Sequence, residues 1–166
     1  MLKTIGCRIH VGTATMPTVL YNKILELLGG KSKVYEVSLP NNILETFNRH
    51  IIHKVADFES CNNIVKQAVA ENKKILIVCN QVKRSQMLYN EIGEEYPDVG
   101  RMLIHSRFKR NDRARLEASL KADFNASKNS CIVVSTQVVE VSLDISFDVM
   151  ITECAPIDAM IQRFGR

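Results

Sequence analysis

Apolar positions along the chain fall into two rhythms. Spacings of three and four recur over residues 17–28, 60–72, 82–96, 109–125 and 157–164, which predicts amphipathic helices there. Short apolar runs at 8–12, 33–39, 49–55, 74–79, 101–105, 131–135 and 148–152 predict strands. Two of them, Ile75-Leu76-Ile77-Val78-Cys79 and Cys131-Ile132-Val133-Val134, are continuous rather than alternating. Strands of that kind are covered on both faces, as in a parallel sheet. Pro17 suits a first helical turn, Gly29-Gly30 a stop and Ser60 an N-cap. From about residue 60 onward the order is helix, strand, helix, strand, helix, strand, strand, helix, the layout of a wound α/β domain. Ligands of such domains lie beyond the carboxyl ends of the strands. Asn80, His105, Ser135, Thr136 and Glu153 stand at those ends.

Composition narrows the class. At 166 residues, with 46% hydrophobic and 24% charged positions, the chain has room for one globular domain and a splinter of a second. The first thirty residues, one strand and one helix closed by Gly29-Gly30, are that splinter. The net charge of +4 is modest, but its distribution is not. Arg101, Arg107, Lys109, Arg110, Arg113, Arg115 and Lys121 stand against only Asp112 and Glu117, which leaves the rest of the chain close to neutral. Such a window suits an anionic partner. Cys7, Cys61, Cys79, Cys131 and Cys154 are odd in number and widely spaced, offering neither a disulfide framework nor a C-x-x-C metal site. No apolar stretch reaches the ~20 residues of a membrane span, and no secretory leader is visible. The expectation is a soluble cytoplasmic protein with no membrane partner.

Several segments carry candidate chemistry. Gly30-Lys31-Ser32 resembles the end of a phosphate-cradling loop, but the full pattern requires glycine where Leu25 stands and a strand where a helix is predicted. It is a helix-terminating turn. None of the four histidines precedes an aspartate, so no metal-binding His-Asp pair is available. Ser135-Thr136-Gln137, at a strand-to-helix turn, offers hydroxyls and N–H groups for phosphate oxygens, and Asp144 an acceptor for a ribose hydroxyl. The same residues suit a capped turn with surface acids. Arg163 and Arg166, three apart, share one side of a helix, as solvated surface or as arginines aimed at a nucleotide. Thr13-Ala14-Thr15-Met16-Pro17 places two hydroxyls at a turn, and His105-Ser106-Arg107-Phe108 with Asp112-Arg113 surrounds a helix start suited to phosphate-backbone contact.

In this order, the segments resemble the later motifs of superfamily two helicases. Thr13-Ala14-Thr15 is similar to the third motif, Leu76 to Asn80 to the fourth, Ser135-Thr136 through Asp144 to the fifth, and Gln162-Arg163-Phe164-Gly165-Arg166 to the sixth. Cys79-Asn80-Gln81-Val82-Lys83-Arg84, the His105 and Asp112 groups, Gln137-Val138-Val139-Glu140, Phe147-Asp148 and Ala155-Pro156-Ile157-Asp158 are more particular. They resemble the CRISPR-associated helicase-nuclease of type I systems, over nearly the whole chain.

The resemblance implies a two-domain RecA-like motor with ATP and Mg2+ in the cleft, pulling single-stranded DNA 3′-to-5′ in antiviral interference. It also implies recruitment by an RNA-guided surveillance complex and cutting by a separate His-Asp nuclease domain. The fold implied is α/β, a RecA-like parallel sheet with helices on both faces. Residues 1–30 would end the first RecA-like domain, 31–45 would link, and 46–166 would form the second. Asn80, Lys83, Ser106, Arg107, Arg113 and Thr136 would contact DNA. Asp144, Gln162 and Arg163 would serve the nucleotide, Arg166 would be the arginine finger, and Thr13 and Thr15 would couple the two sites. The family pattern continues to another arginine three positions past Arg166, and its phosphate loop and magnesium acids belong upstream of residue 1. The expectation is therefore a fragment, inactive alone as an ATPase. The alternative is a non-catalytic RecA-like module that binds nucleic acid.

Overall fold

The computed structural model describes residues 6–13, 16–47, 50–124, 126–140 and 146–164. The chain divides into two compact units, residues 1–52 and 53–166. The sequence placed the start of the second domain at 46.

In the first unit, helix α1 (Thr18–Leu28) follows Pro17 and ends where Gly29 turns left-handed at φ 98°. The N–H groups of Gly29 and Gly30 close on the carbonyls of Glu26 and Leu25 at 3.2 and 2.8 Å, a stop that glycine makes without steric cost. A 3-10 turn occupies Lys31–Lys33, where the strand 33–39 was expected to begin, and a one-turn helix, α2, covers Asn41–Leu44. The strands expected at 8–12, 33–39 and 49–55 are absent among the described residues. An extended segment becomes a strand only when a neighbour takes its N–H and C=O groups, and among the described residues no strand pairs with these. Tyr35 and Val37 accordingly stay 91% and 85% exposed.

The second unit holds the sheet. Helix α3 (Asn62–Ala70) is entered through a 3-10 turn at Glu59–Cys61. Ser60 does not cap it. Instead the Asp57 carboxylate accepts both the Ser60 N–H (2.8 Å) and hydroxyl (2.6 Å), and those bonds hold it below the usual carboxylate range. Strand β1 (Lys74–Val78), helix α4 (Val82–Glu95), strand β2 (Gly100–Ile104), helix α5 (Arg110–Ser119), strand β3 (Cys131–Ser135), strand β4 (Val149–Thr152) and helix α6 (Ile157–Phe164) follow. The helix expected over 109–125 gives way to a π turn at Leu120–Phe124, which drives Leu120 into the core at 0% exposure.

All strand pairs are parallel, in the order β2-β3-β1-β4. The central strands β1 and β3 explain their continuous apolar runs, since each face is roofed. Ile75, Ile77, Ile132 and Val134 pack with Val65 and Ala68 of α3 and Leu88 and Ile92 of α4. Leu76, Val78, Val133, Met102 and Ile104 point the other way, to Leu120 with Leu116 and Phe124. This is the expected α/β sheet with helices on both faces. The register sets Ile104 opposite Ser135 and Val78 opposite both Ser135 and Thr152. Four strand ends therefore line up along one edge.

Candidate functional site

That edge gathers residues far apart in sequence. Asn80 lies just past β1, His105 and the Ser106-Arg107 turn past β2, Thr136 past β3 and Glu153 past β4.

Asn80 is exposed yet held by four hydrogen bonds. Its N–H donates to the Glu153 carboxylate at 2.6 Å and its side-chain amide N–H to the Cys154 carbonyl at 2.7 Å. Its Oδ1 accepts from Arg163 at 3.1 Å, and its backbone carbonyl from the Gln137 amide at 3.4 Å. Arg163 is fully buried. Its Nη1 donates to Thr152 Oγ1 (2.7 Å) and to the Glu153 carbonyl (2.9 Å). The guanidinium set down from sequence for the nucleotide is thus turned into the protein, while Gln162 beside it is half-buried.

On the β2 side, Ser106 and Arg107 are exposed at a turn, and Lys83 is exposed on the first turn of α4. His105 behind them is 5% exposed, stacked on Phe108 at 4.2 Å, with its Nε2 at 3.5 Å from the Gln86 amide. Burial, with a smaller push from Arg107, lowers its pKa below the ordinary histidine value. Arg113 is half-buried and donates to Glu117 one helical turn on at 2.7 Å. Arg101 leaves the basic window altogether, its guanidinium lying 5.2 Å from the Tyr89 ring centre. A Cβ on Gly93 would come within 2.3 Å of that guanidinium, so the α4 glycine makes room for it. Of the basic window, Arg107, Lys109, Arg110, Arg115 and Lys121 remain exposed, with Lys83 on α4 beside them.

Thr136 is 1% exposed, and its N–H donates to the Ile104 carbonyl at 3.2 Å. Its hydroxyl and His105 Nδ1 have no hydrogen-bond partner among the described residues. The two orphans follow Ser135 and Ile104, which face each other across β3 and β2. Asp144, Arg166 and Thr15 lie outside the described residues, and Thr13 is exposed in the first unit. Sequence reasoning gave no role to Thr152 or Gln86, whereas Glu153 was flagged by its position after an apolar strand and Gln137 as part of the turn after β3. Among the described residues, no three His, Cys, Asp or Glu side chains converge as for a metal ion, and no helix is long and apolar enough to cross a membrane.

Residues 71–166 match the family model described as CRISPR-associated nuclease/helicase Cas3, C-terminal. The chain belongs to the Cas3 family. A CRISPR-associated nuclease/helicase Cas3 of Streptococcus thermophilus is 36% identical over 69% of this chain and 13% of its own length. A CRISPR-associated helicase Cas3 of Thermoproteus tenax is 26% identical over 99% of this chain and 26% of its own. This chain therefore spans between about an eighth and a quarter of those two Cas3 relatives. The crystal structure of T. fusca Cas3 with ATP aligns with a TM-score of 0.60 at 26% identity, over 65% of this chain and 13% of that one. Domain 2 of the DEAD-box helicase Mss116p, bound to an RNA duplex in its structure, shares the fold at a TM-score of 0.52 and 23% identity, over 66% and 43% of the two chains. The parallel sheet of this Cas3 chain is thus RecA-like, of the kind that forms a second helicase domain.

Proposed function

We propose that this chain supplies the second motor domain of an ATP-dependent, 3′-to-5′ DNA helicase acting in CRISPR interference. It contributes half of a DNA track and half of a nucleotide site, and the motor delivers single-stranded DNA to a separate nuclease domain after recruitment by the surveillance complex. The observation that carries this reading is convergence. The carboxyl ends of β1, β2 and β3 bring Asn80, Ser106-Arg107 and Thr136 to one sheet edge, with Lys83 and Arg107 exposed beside them. Such an edge suits a phosphate backbone followed by charge rather than by base sequence.

The nucleotide half is leaner. Bound ATP supplies the free energy of hydrolysis, and of the residues set down for it Gln162 is described on α6 beside the inward-turned Arg163. The sequence carries no complete phosphate loop. That fits a half-site whose phosphate cradle sits on another RecA-like domain. Asp144 would hold the ribose, and Arg166 would bring positive charge to the transferring phosphoryl group. Alone, the chain hydrolyses no ATP on this reading.

The test is fluorescence anisotropy on a labelled single-stranded oligonucleotide of mixed sequence. Binding is expected to be weak and indifferent to sequence, its logarithm falling with the logarithm of salt at a slope of about −0.7 per phosphate neutralised. The double variant Lys83→Glu, Arg107→Glu should lose most of the affinity and flatten the slope by about two phosphates. Unchanged affinity would remove this edge from the DNA path. If supplying a first motor domain produced no DNA-stimulated ATPase, the non-catalytic binding module would be the better account.

A further inference from the structure

We infer that Asn80 and Arg163 form a latch that ties the loop after β1 to helix α6, so that the DNA edge and the nucleotide side of this domain move together. The inference deepens the motor reading and rests on it. It reassigns both residues: each is a positioning residue acting through the other, rather than a direct contact to DNA or to nucleotide.

The geometry is that of a brace across the sheet edge. Asn80 and Arg163 are 83 positions apart in sequence, joined because β1 and β4 are neighbours. The two η nitrogens of one planar guanidinium reach different elements, Nη2 to Asn80 after β1 and Nη1 to Thr152 and the Glu153 carbonyl at the end of β4. A lysine ammonium has no such fixed fork. The Asn80 amide has one orientation that satisfies both ends, with oxygen toward Arg163 and nitrogen toward the Cys154 carbonyl. Turned over, it would set N–H groups against the guanidinium and oxygen against a carbonyl. Gln137, next to Thr136 at the end of β3, bonds the Asn80 carbonyl, and Glu153 accepts from the Asn80 N–H while standing 3.8 Å from Arg84 on α4.

Burial raises the stakes. A fully buried guanidinium that loses an acceptor is left with a charge neither water nor protein solvates well, so α6 cannot shift without carrying Asn80 along or breaking the set. Any displacement of α6 when domains close would thereby pull on the β1 loop, and through Gln137 on the segment that follows Thr136.

A double-mutant cycle on single-stranded DNA affinity, read by anisotropy with the whole chain, tests the latch. Asn80→Ala and Arg163→Lys should each weaken binding by about fivefold, and the double variant should be no weaker than either single one. Independent roles predict that Arg163→Lys leaves DNA affinity unchanged or that the two losses multiply, and either result overturns the latch. A brace that only stabilises the fold would lower the melting temperature and leave DNA affinity alone, which also overturns it. Hydrogen exchange on Asn80→Ala supplies a second arm that needs neither DNA binding nor a folded Arg163→Lys. The latch predicts faster exchange in residues 157–164, and a change confined to residues near 80 excludes it. If the wild-type chain fails to bind DNA, the motor reading falls while the exchange arm still judges the latch.

Discussion

At Thr136 the proposed DNA contact would set a functional demand against stability at a single atom. Its hydroxyl is buried and has no hydrogen-bond partner among the described residues. A buried polar atom left unpaired costs about 1–3 kcal/mol, so an apolar replacement of similar shape should relieve part of it. Thr136→Val is expected to stabilise the chain by about 1 kcal/mol in urea unfolding. It should weaken single-stranded DNA binding severalfold if the hydroxyl is kept for a phosphate. A destabilised variant would mean that the hydroxyl already has a partner in the folded chain. His105, beside it in register, makes the parallel argument through protons. Its pKa is lowered by burial in the native state, so the unfolded chain binds more protons and stability rises with pH. The contribution is complete above the ordinary value of 6.5 and is lost as pH falls from there through the lowered native value. Melting temperatures between pH 8 and pH 5 should therefore drop more steeply for the wild type than for His105→Gln. Equal slopes would show that His105 protonates as readily folded as unfolded.

At the scale of elements, the chain was legible wherever burial is two-sided. β1 and β3 announced themselves as unbroken apolar runs, and α3, α4 and α6 by helical spacing, because each of those patterns is local and the core that explains it is close packed. The segments 8–12, 33–39 and 49–55 carried similar signals and formed no strands among the described residues, since pairing depends on a neighbour that local pattern does not specify. The break of the 109–125 helix into α5 and a π turn was invisible for the same reason. It serves Leu120, whose place is fixed by β2 and β3 rather than by its own turn. At the site, strand ends located Asn80, His105, Thr136 and Glu153, whereas the inward turn of Arg163 could not be read. Spaced three from Arg166, it has the look of a surface pair, and only the adjacency of β1 and β4 brings Asn80 within 3.1 Å. Likewise Arg101 counted toward the basic window until Gly93 and Tyr89 gave its guanidinium a seat on α4.

Over the whole molecule, stability is unevenly shared between the two units. Residues 53–166 own the sheet and both buried clusters, whereas α1 in the first unit has no buried residue. Val19, Leu20 and Leu27 on that helix are 83%, 51% and 65% exposed. An 11-residue helix is marginal in water without an apolar face packed on a core, however well its end is capped. Backbone exchange should therefore be graded along the chain. Amides of Thr18–Leu28 should exchange within seconds to minutes at neutral pH, and those of β1 and β3 far more slowly, at the level of global unfolding. The motor reading adds a second expectation, because residues 1–30 would complete the first RecA-like domain. Supplying that domain in excess should slow exchange across α1 by at least tenfold and leave β1 and β3 unchanged. Protection that failed to appear on α1 would detach this segment from the first motor domain, while leaving the parallel sheet and its proposed DNA edge where they stand. Protection appearing on β1 and β3 instead would mean that the added domain stabilises residues 53–166 as a whole, and that α1 is not its docking element.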